Sequence, residues 1–159
     1  MDIMIRFIAD GLVPIIAAIG AYVLVFKLPK GSNRQRAYAR IIMAGLTAVL
    51  AAKLVASFWQ PDAARPFVEM GVAAKAAYLD NAGFPSDHVL FTSAIAYAVW
   101  FETKQKNIAI LLFILVAIVA LGRVLALVHT PVDVAGGFIF ATFGALWYLT
   151  KTKTKTAKT

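Results

Sequence analysis

Gly122-Arg123-Val-Leu-Ala-Leu-Val-His129-Thr130-Pro131-Val-Asp133 closes one apolar run of this chain and opens another. Three ionisable side chains, Arg123, His129 and Asp133, stand where the surrounding pattern admits none. Thr130 followed by Pro131 reads as a helix N-cap and the first helical residue, which makes Asp133 the third and lets it reach back past the cap. His129 is the residue immediately before that cap. A carboxylate that holds one imidazole nitrogen fixes the tautomer and leaves the other free to attack an electrophile. Arg123, six residues upstream of His129, offers a fork for a phosphate. The alternative is a capping box with a helix-end His and an Arg at the membrane boundary; it explains Asp133 by itself as well as a site does, but the three residues together favour the site.

Outward from this stretch the chain is apolar. Of its 159 residues 61% are hydrophobic and 15% charged, and the mean hydropathy is +0.77, so the apolar stretches must meet lipid. The fold class expected is all-α, a polytopic membrane helix bundle. Five runs approach the ~20 residues that a span needs: residues 7–27, 41–59, 88–101 (short), 108–127 and 131–149. Residues 1–150 then make a single transmembrane domain and 151–159 a basic tail. Arg6 is a poor n-region for a cleaved signal, so the first run reads as a retained span. The absence of cysteine excludes disulfides and thiolate metal sites.

Charge sets the expected orientation, because short cytoplasmic loops collect Lys and Arg. Lys27, Lys30, Arg34, Arg36 and Arg40 crowd the first connection, Lys104 and Lys106 the one after Trp100, and Lys151, Lys153, Lys155 and Lys158 the tail. Those segments are expected inside, with the N-terminus outside and the C-terminus inside. Of the eight acidic residues only Glu102 then falls on the inner side. The net charge of +8 thus faces anionic lipid heads, and no nucleic-acid partner is needed to explain it.

Small residues Ala17, Ala18, Gly20 and Ala21 in the first span suit close helix packing. Lys53 lies one to two turns below the outer end of the second span, where a charge is a functional candidate unless it snorkels to the interface. After Arg65-Pro66, the segment Phe67 to Tyr78 carries Glu69 and Lys75 on an Ala-rich pattern and is expected to form one interfacial helix. Trp59, Phe67, Tyr78 and Phe84 suit an aromatic belt at headgroup depth.

A second informative stretch, Pro85-Ser86-Asp87-His88, precedes the third span. Ser86 is placed to be an N-cap, and the free N–H groups of the first turn make an anion site beside His88. His88 and His129 are the only two histidines of the chain. Lys53, Arg65, Ser86, His88, Arg123, His129 and Asp133 come from four separate segments, yet all map to the outer side. Three cations, two imidazoles, an orienting carboxylate and a helix N-terminus describe a pocket for a phosphate dianion and its transfer.

These residues resemble the type 2 phosphatidic acid phosphatase superfamily, which includes bacterial undecaprenyl-pyrophosphate phosphatases and soluble vanadium haloperoxidases. Arg123, His129 and Asp133 match its Arg-x5-His-x3-Asp motif, Pro85 to His88 its Pro-Ser-x-His motif, and Arg65-Pro66 the end of its Lys-x6-Arg-Pro motif. The resemblance covers about residues 50–150. It implies that His129 is the nucleophile, Asp133 its orienter and His88 the general acid, with Arg65, Arg123, Ser86 and Lys53 holding phosphate. Two positions depart from the pattern: Phe58 stands where the family has Lys, and Gly122 where it often has Ser. Lys53 takes the lysine role only if Pro61 and its neighbours form an insertion, and Lys75 is the other candidate cation.

The expected activity is hydrolysis of a lipid phosphate or diphosphate at the outer membrane face through a phosphohistidine, without a cofactor or metal. Undecaprenyl diphosphate is the favoured substrate, and phosphatidate or phosphatidylglycerophosphate the alternative in the same class. A small polytopic transporter or scaffold is the alternative of a different class, but a transporter would place charges near the midplane of several spans.

Overall fold

The computed structural model of this chain describes residues 2–61 and 64–150. Asp62 and the basic tail at 151–159 lie outside the described residues. The helices are α1 (Asp2–Phe26), α2 (Arg34–Phe58), the single turn α3 (Pro66–Glu69), α4 (Asp87–Glu102), α5 (Lys106–Leu125) and α6 (Pro131–Leu149). No strand occurs among the described residues, so the all-helical expectation holds. A π-helical turn interrupts α1 at Phe7–Gly11, and α6 closes on a 3-10 turn at Ala145–Leu149.

Among the described residues four helices, α1, α2, α5 and α6, are long and apolar enough to cross a membrane. The fifth element of the bundle, α4, has 16 residues, about 24 Å at 1.5 Å per residue. Large apolar side chains point outward from the long helices, among them Leu50 and Leu54 on α2, Ile114 on α5 and Ile139 on α6. An apolar exterior of this extent belongs against lipid. Inside, α4 packs against α1, α2, α5 and α6. Its Val89, Ala96 and Val99 join Ile16 and Val23 of α1 and Ala109, Leu112, Val116 and Val119 of α5 in the main core.

Small residues set the close crossings. A Cβ on Gly20 would lie 2.2 Å from Ile95 Cγ2, and one on Gly144 would lie 2.3 Å from the Ala44 carbonyl oxygen. Glycine at these points lets the Ile95 side chain of α4 lie on the α1 backbone and lets α6 meet the backbone of α2.

Three expectations need correction. The second helix begins at Arg34, seven residues before the apolar run, because Asn33 Oδ1 caps it by accepting the Arg36 N–H at 3.0 Å. Arg34, Arg36 and Arg40 therefore ride on helix rather than on a connection. Arg40 then reaches Glu102 through two hydrogen bonds of 2.6 and 2.7 Å, which ties the start of α2 to the end of α4.

The segment expected as an interfacial helix is helical only at Pro66–Glu69. Gly71 takes φ +64°, a left-handed conformation that ends the turn. The Phe67 N–H, free in that first turn, goes to the Leu127 carbonyl, and beyond Gly71 the Lys75 N–H goes to the Ala126 carbonyl. The segment thus folds over the α5–α6 corner instead of lying as a free helix. Two of the four belt aromatics are buried, Phe67 under this segment and Phe84 against Gly136 and Phe140 of α6. Phe84 packs edge-on to Trp59 with ring centroids 4.9 Å apart, and Phe67 lies 4.7 Å from Tyr78.

Candidate active site

At the corner between α5 and α6 the capping box forms as the sequence predicts. Thr130 Oγ1 accepts the Asp133 N–H at 3.3 Å, and Asp133 Oδ2 accepts the Thr130 N–H at 2.9 Å. The same Oδ2 lies 3.3 Å from Nδ1 of His129. Capping and orienting are therefore two tasks of one carboxylate, not alternatives. With Nδ1 turned to Asp133, the other ring nitrogen of His129 is the one left for a substrate. Both side chains are buried. Burial is the largest influence on His129 and pushes its imidazole below the ordinary 6.5; the Asp133 hydrogen bond opposes this, and the Arg123 and Arg65 guanidiniums add to it.

Two buried guanidiniums flank the pair. Arg65, the residue before α3, donates to the Val128 carbonyl at 2.5 Å, to the Leu79 and Asn81 carbonyls, and to Asn81 Oδ1 at 2.7 Å. Leu127, at φ +61°, makes the turn that presents Val128 to it. Gly83, at φ +103°, takes a backbone conformation that side-chain-bearing residues rarely adopt and brings the loop beside the Arg65 guanidinium and Asp133. Arg123, 1% exposed near the end of α5, donates from Nη1 to Asp10 Oδ1 at 2.5 Å, while its buried Nε has no partner.

The second motif comes in through the crossing of α4 and α6. A Cβ on Gly137 would lie 2.6 Å from the Ser86 carbonyl oxygen, so glycine there brings the start of α4 against α6. The Ser86 N–H donates to the Asp133 carbonyl at 3.0 Å, which locks the two motifs in register. Ser86 occupies the N-cap position, but its side chain makes no capping bond, contrary to the sequence expectation. Its Oγ is buried without a partner. A buried hydroxyl with no partner leaves its full hydrogen-bonding capacity unmet, the condition of a group built for a ligand. His88, two residues later, stands with Nε2 at 3.6 Å from Asp10 Oδ1.

Lys53 is not the buried ammonium expected from its depth. Its side chain is 54% exposed, and its Nζ lies 3.1 Å from Asp87 Oδ1, between Ser86 and His88 in sequence. This places it at the rim of the cluster, where α2 ends and α4 begins. Lys75 is directed to Asp2 Oδ1 at 3.3 Å, on the outer side of the folded segment. Of the two candidate cations, Lys53 is thus the one carried to the start of α4.

All seven residues singled out from the sequence gather at one end of the bundle, and the Arg40–Glu102 pair marks the other. Among the described residues no group of three His, Asp or Glu side chains is arranged to hold a metal ion. Two buried guanidiniums, an unpartnered hydroxyl and a paired imidazole suit an oxyanion such as phosphate.

The decisive comparison is with protein families: the model described as PAP2 superfamily matches residues 34–157. The chain belongs to the PAP2 superfamily. The match includes every motif residue from Lys53 to Asp133 and leaves α1 outside. Among curated proteins, this PAP2 chain is 36% identical over 84 residues to one named "Putative undecaprenyl-diphosphatase YbjG" from Escherichia coli (strain K12). The aligned stretch is 52% of this chain and spans 41% of the length of that relative. No solved structure matches.

Two residues of this PAP2 site escaped the sequence reading. Asp10 sits in the first span, which reads as structural, although a carboxylate within a span is itself a signal. Asn81 carries no such signal, since its contact with Arg65 depends on how the loop folds back.

Proposed function

We propose that this PAP2 chain is a membrane lipid phosphatase that hydrolyses a polyprenyl diphosphate, undecaprenyl diphosphate being favoured, through a phosphohistidine. The observation that carries the reading is the pairing of His129 Nδ1 with Asp133 Oδ2 beside two buried guanidiniums. His129 Nε2 attacks phosphorus, the bond from phosphorus to the leaving oxygen breaks, and that oxygen takes a proton from His88. Water then attacks the phosphohistidine and passes its proton to His88. The P–N bond breaks with its electron pair returning to His129, and inorganic phosphate departs.

Arg123, Arg65, Ser86 and, at the rim, Lys53 offer donors to the phosphoryl oxygens. These charges stabilise the transition state in a mechanism proposed to need no metal. The site is proposed to face outside, with the N-terminus outside and the C-terminus inside and α4 as a fifth span. In support, Arg34, Arg36, Arg40, Lys104 and Lys106 lie toward the opposite end of the bundle. The name of the Escherichia coli relative favours a polyprenyl diphosphate over phosphatidate or phosphatidylglycerophosphate, the second choice.

The test is phosphate release from detergent-solubilised protein offered all three lipids, with and without vanadate, and with EDTA. Release that vanadate inhibits and EDTA spares is the expected result. Release from none of the lipids sinks the enzyme reading, and loss of release with EDTA sinks the metal-free mechanism.

A further inference from the structure

Asp10 is an acid inside an apolar helix, and three features bring it to the site. The π-helical turn at Phe7–Gly11 adds a residue to the local turn and re-aims the side chains within it, a device common at functional sites. Gly122 is the second: a Cβ there would lie 2.6 Å from Ile8 Cγ2 and 2.9 Å from the Ala9 nitrogen, so only glycine admits α1 this close. The third is the fixing of the carboxylate itself. Its Oδ1 accepts from Arg123 at 2.5 Å and its Oδ2 from the Ala77 N–H at 2.8 Å.

With both oxygens held, the carboxylate stands 3.6 Å from His88 Nε2, too far for a good hydrogen bond and close enough for a strong field. That spacing leaves the Nε2–H free for a leaving oxygen. We propose that Asp10 is a positioning residue that keeps the proton on His88, giving the second imidazole of the site its own carboxylate as Asp133 serves the first. This rests on the proposed role of His88 as the acid.

The groups that face His88 decide whether one carboxylate can have this effect. Burial and the Arg123 guanidinium of α5, with His129 of the α5–α6 corner, oppose a positive charge on it; Asp10 of α1 and, more weakly, Asp87 of its own helix favour one. Asp87 is shared with Lys53. Asp10 is likewise shared with Arg123, but its Oδ1 is fixed 3.6 Å from His88 Nε2, and a phosphoryl dianion arriving on Arg123 would add to its effect.

The experiment compares wild type, Asp10→Asn, Asp10→Glu, His88→Ala and the Asp10→Asn/His88→Ala double variant. Each is assayed across pH on an alkyl phosphate and on p-nitrophenyl phosphate. Asn retains an acceptor for the Ala77 N–H, so a role confined to holding Arg123 predicts equal losses on both substrates. The proposal expects the basic limb of kcat/KM in Asp10→Asn to move down by about one pH unit. Alkyl phosphate turnover should fall ~10-fold and aryl phosphate turnover less than ~3-fold. In the His88→Ala background the same change should cost under ~2-fold on either substrate. Asp10→Glu, which keeps the charge, should hold the limb near its wild-type position.

Equal losses on both substrates with an unmoved limb overturn the proposal. So do costs that multiply in the double variant, or a limb in Asp10→Glu displaced as far as in Asp10→Asn. If His88→Ala itself loses equal factors on both substrates, the acid role of His88 fails first and the role of Asp10 falls with it.

Discussion

His129 Nδ1 lies 3.3 Å from Asp133 Oδ2, the same oxygen that accepts the Thr130 N–H at 2.9 Å. The first turn of α6 and the tautomer of the imidazole therefore depend on one atom. In Asp133→Asn an amide oxygen at this position keeps the Thr130 bond but removes the charge that steadies a cationic phosphohistidine, whereas an amide nitrogen there would move the ring proton to Nε2 and block attack. Turnover should fall ~10³- to 10⁴-fold, with the melting temperature in detergent little changed. Asp133→Ala should lose activity and also ~1 kcal/mol of stability with the cap. Wild-type turnover in Asp133→Asn would end the orienting role.

The two histidines should separate by leaving group. His129→Ala should abolish turnover of every substrate, since no covalent intermediate forms without it. Loss of a general acid costs ~10²- to 10⁴-fold, and most where the leaving oxygen is least acidic. His88→Ala should therefore retain more relative activity on undecaprenyl diphosphate, which expels a phosphate monoester, than on phosphatidate, which expels an alkoxide. An aryl phosphate with an acidic phenol should be spared most. Equal losses on all three substrates would point instead to exchanged roles.

The pH profile should report burial at the α5–α6 corner. Attack requires neutral His129, and the imidazole is pushed below its ordinary value of 6.5 chiefly by burial. The neutral form then persists as pH falls through 6.5, so the acidic limb of kcat/KM belongs below that value. A limb above it would mean that the attacking imidazole is well solvated.

Lys53→Ala should raise KM a few-fold and leave kcat nearly intact. An exposed ammonium already paired with Asp87 supplies attraction that salt screens. Lys75→Ala should change neither constant by more than ~2-fold, because its partner is Asp2. Raising the ionic strength should shrink the difference between wild type and Lys53→Ala. A larger loss from Lys75→Ala would assign the third cation to the folded segment.

Orientation is testable without activity. A tag at the N-terminus should be reached from outside intact cells and one after Thr159 only from inside, as the Lys and Arg asymmetry requires. Both tags protected on the same side would remove one span and turn the site around.

What the sequence by itself determined follows from periodicity, composition and local chemistry. Long apolar runs dictate helices, because a backbone in lipid has to satisfy its own hydrogen bonds. Thr130-Pro131-Val-Asp133 dictates the capping box, and with it the nearness of Asp133 to His129, since both lie within one turn. The two motifs were legible for the same reason. What only the tertiary structure decided is everything that depends on one helix meeting another. Ser86 reads as an N-cap, yet its hydroxyl is left unpartnered because Gly137 lets α6 close over the start of α4. Lys53 reads as deep, yet the end of α2 carries it to Asp87 at the rim. The Phe67 to Tyr78 segment has a helical pattern, but the α5–α6 corner takes its backbone hydrogen bonds. Asp10 lies 113 residues from Arg123 in the chain and 2.5 Å from it in space. No local rule connects them, because the contact exists only where a π-turn and a glycine bring two packed helices together.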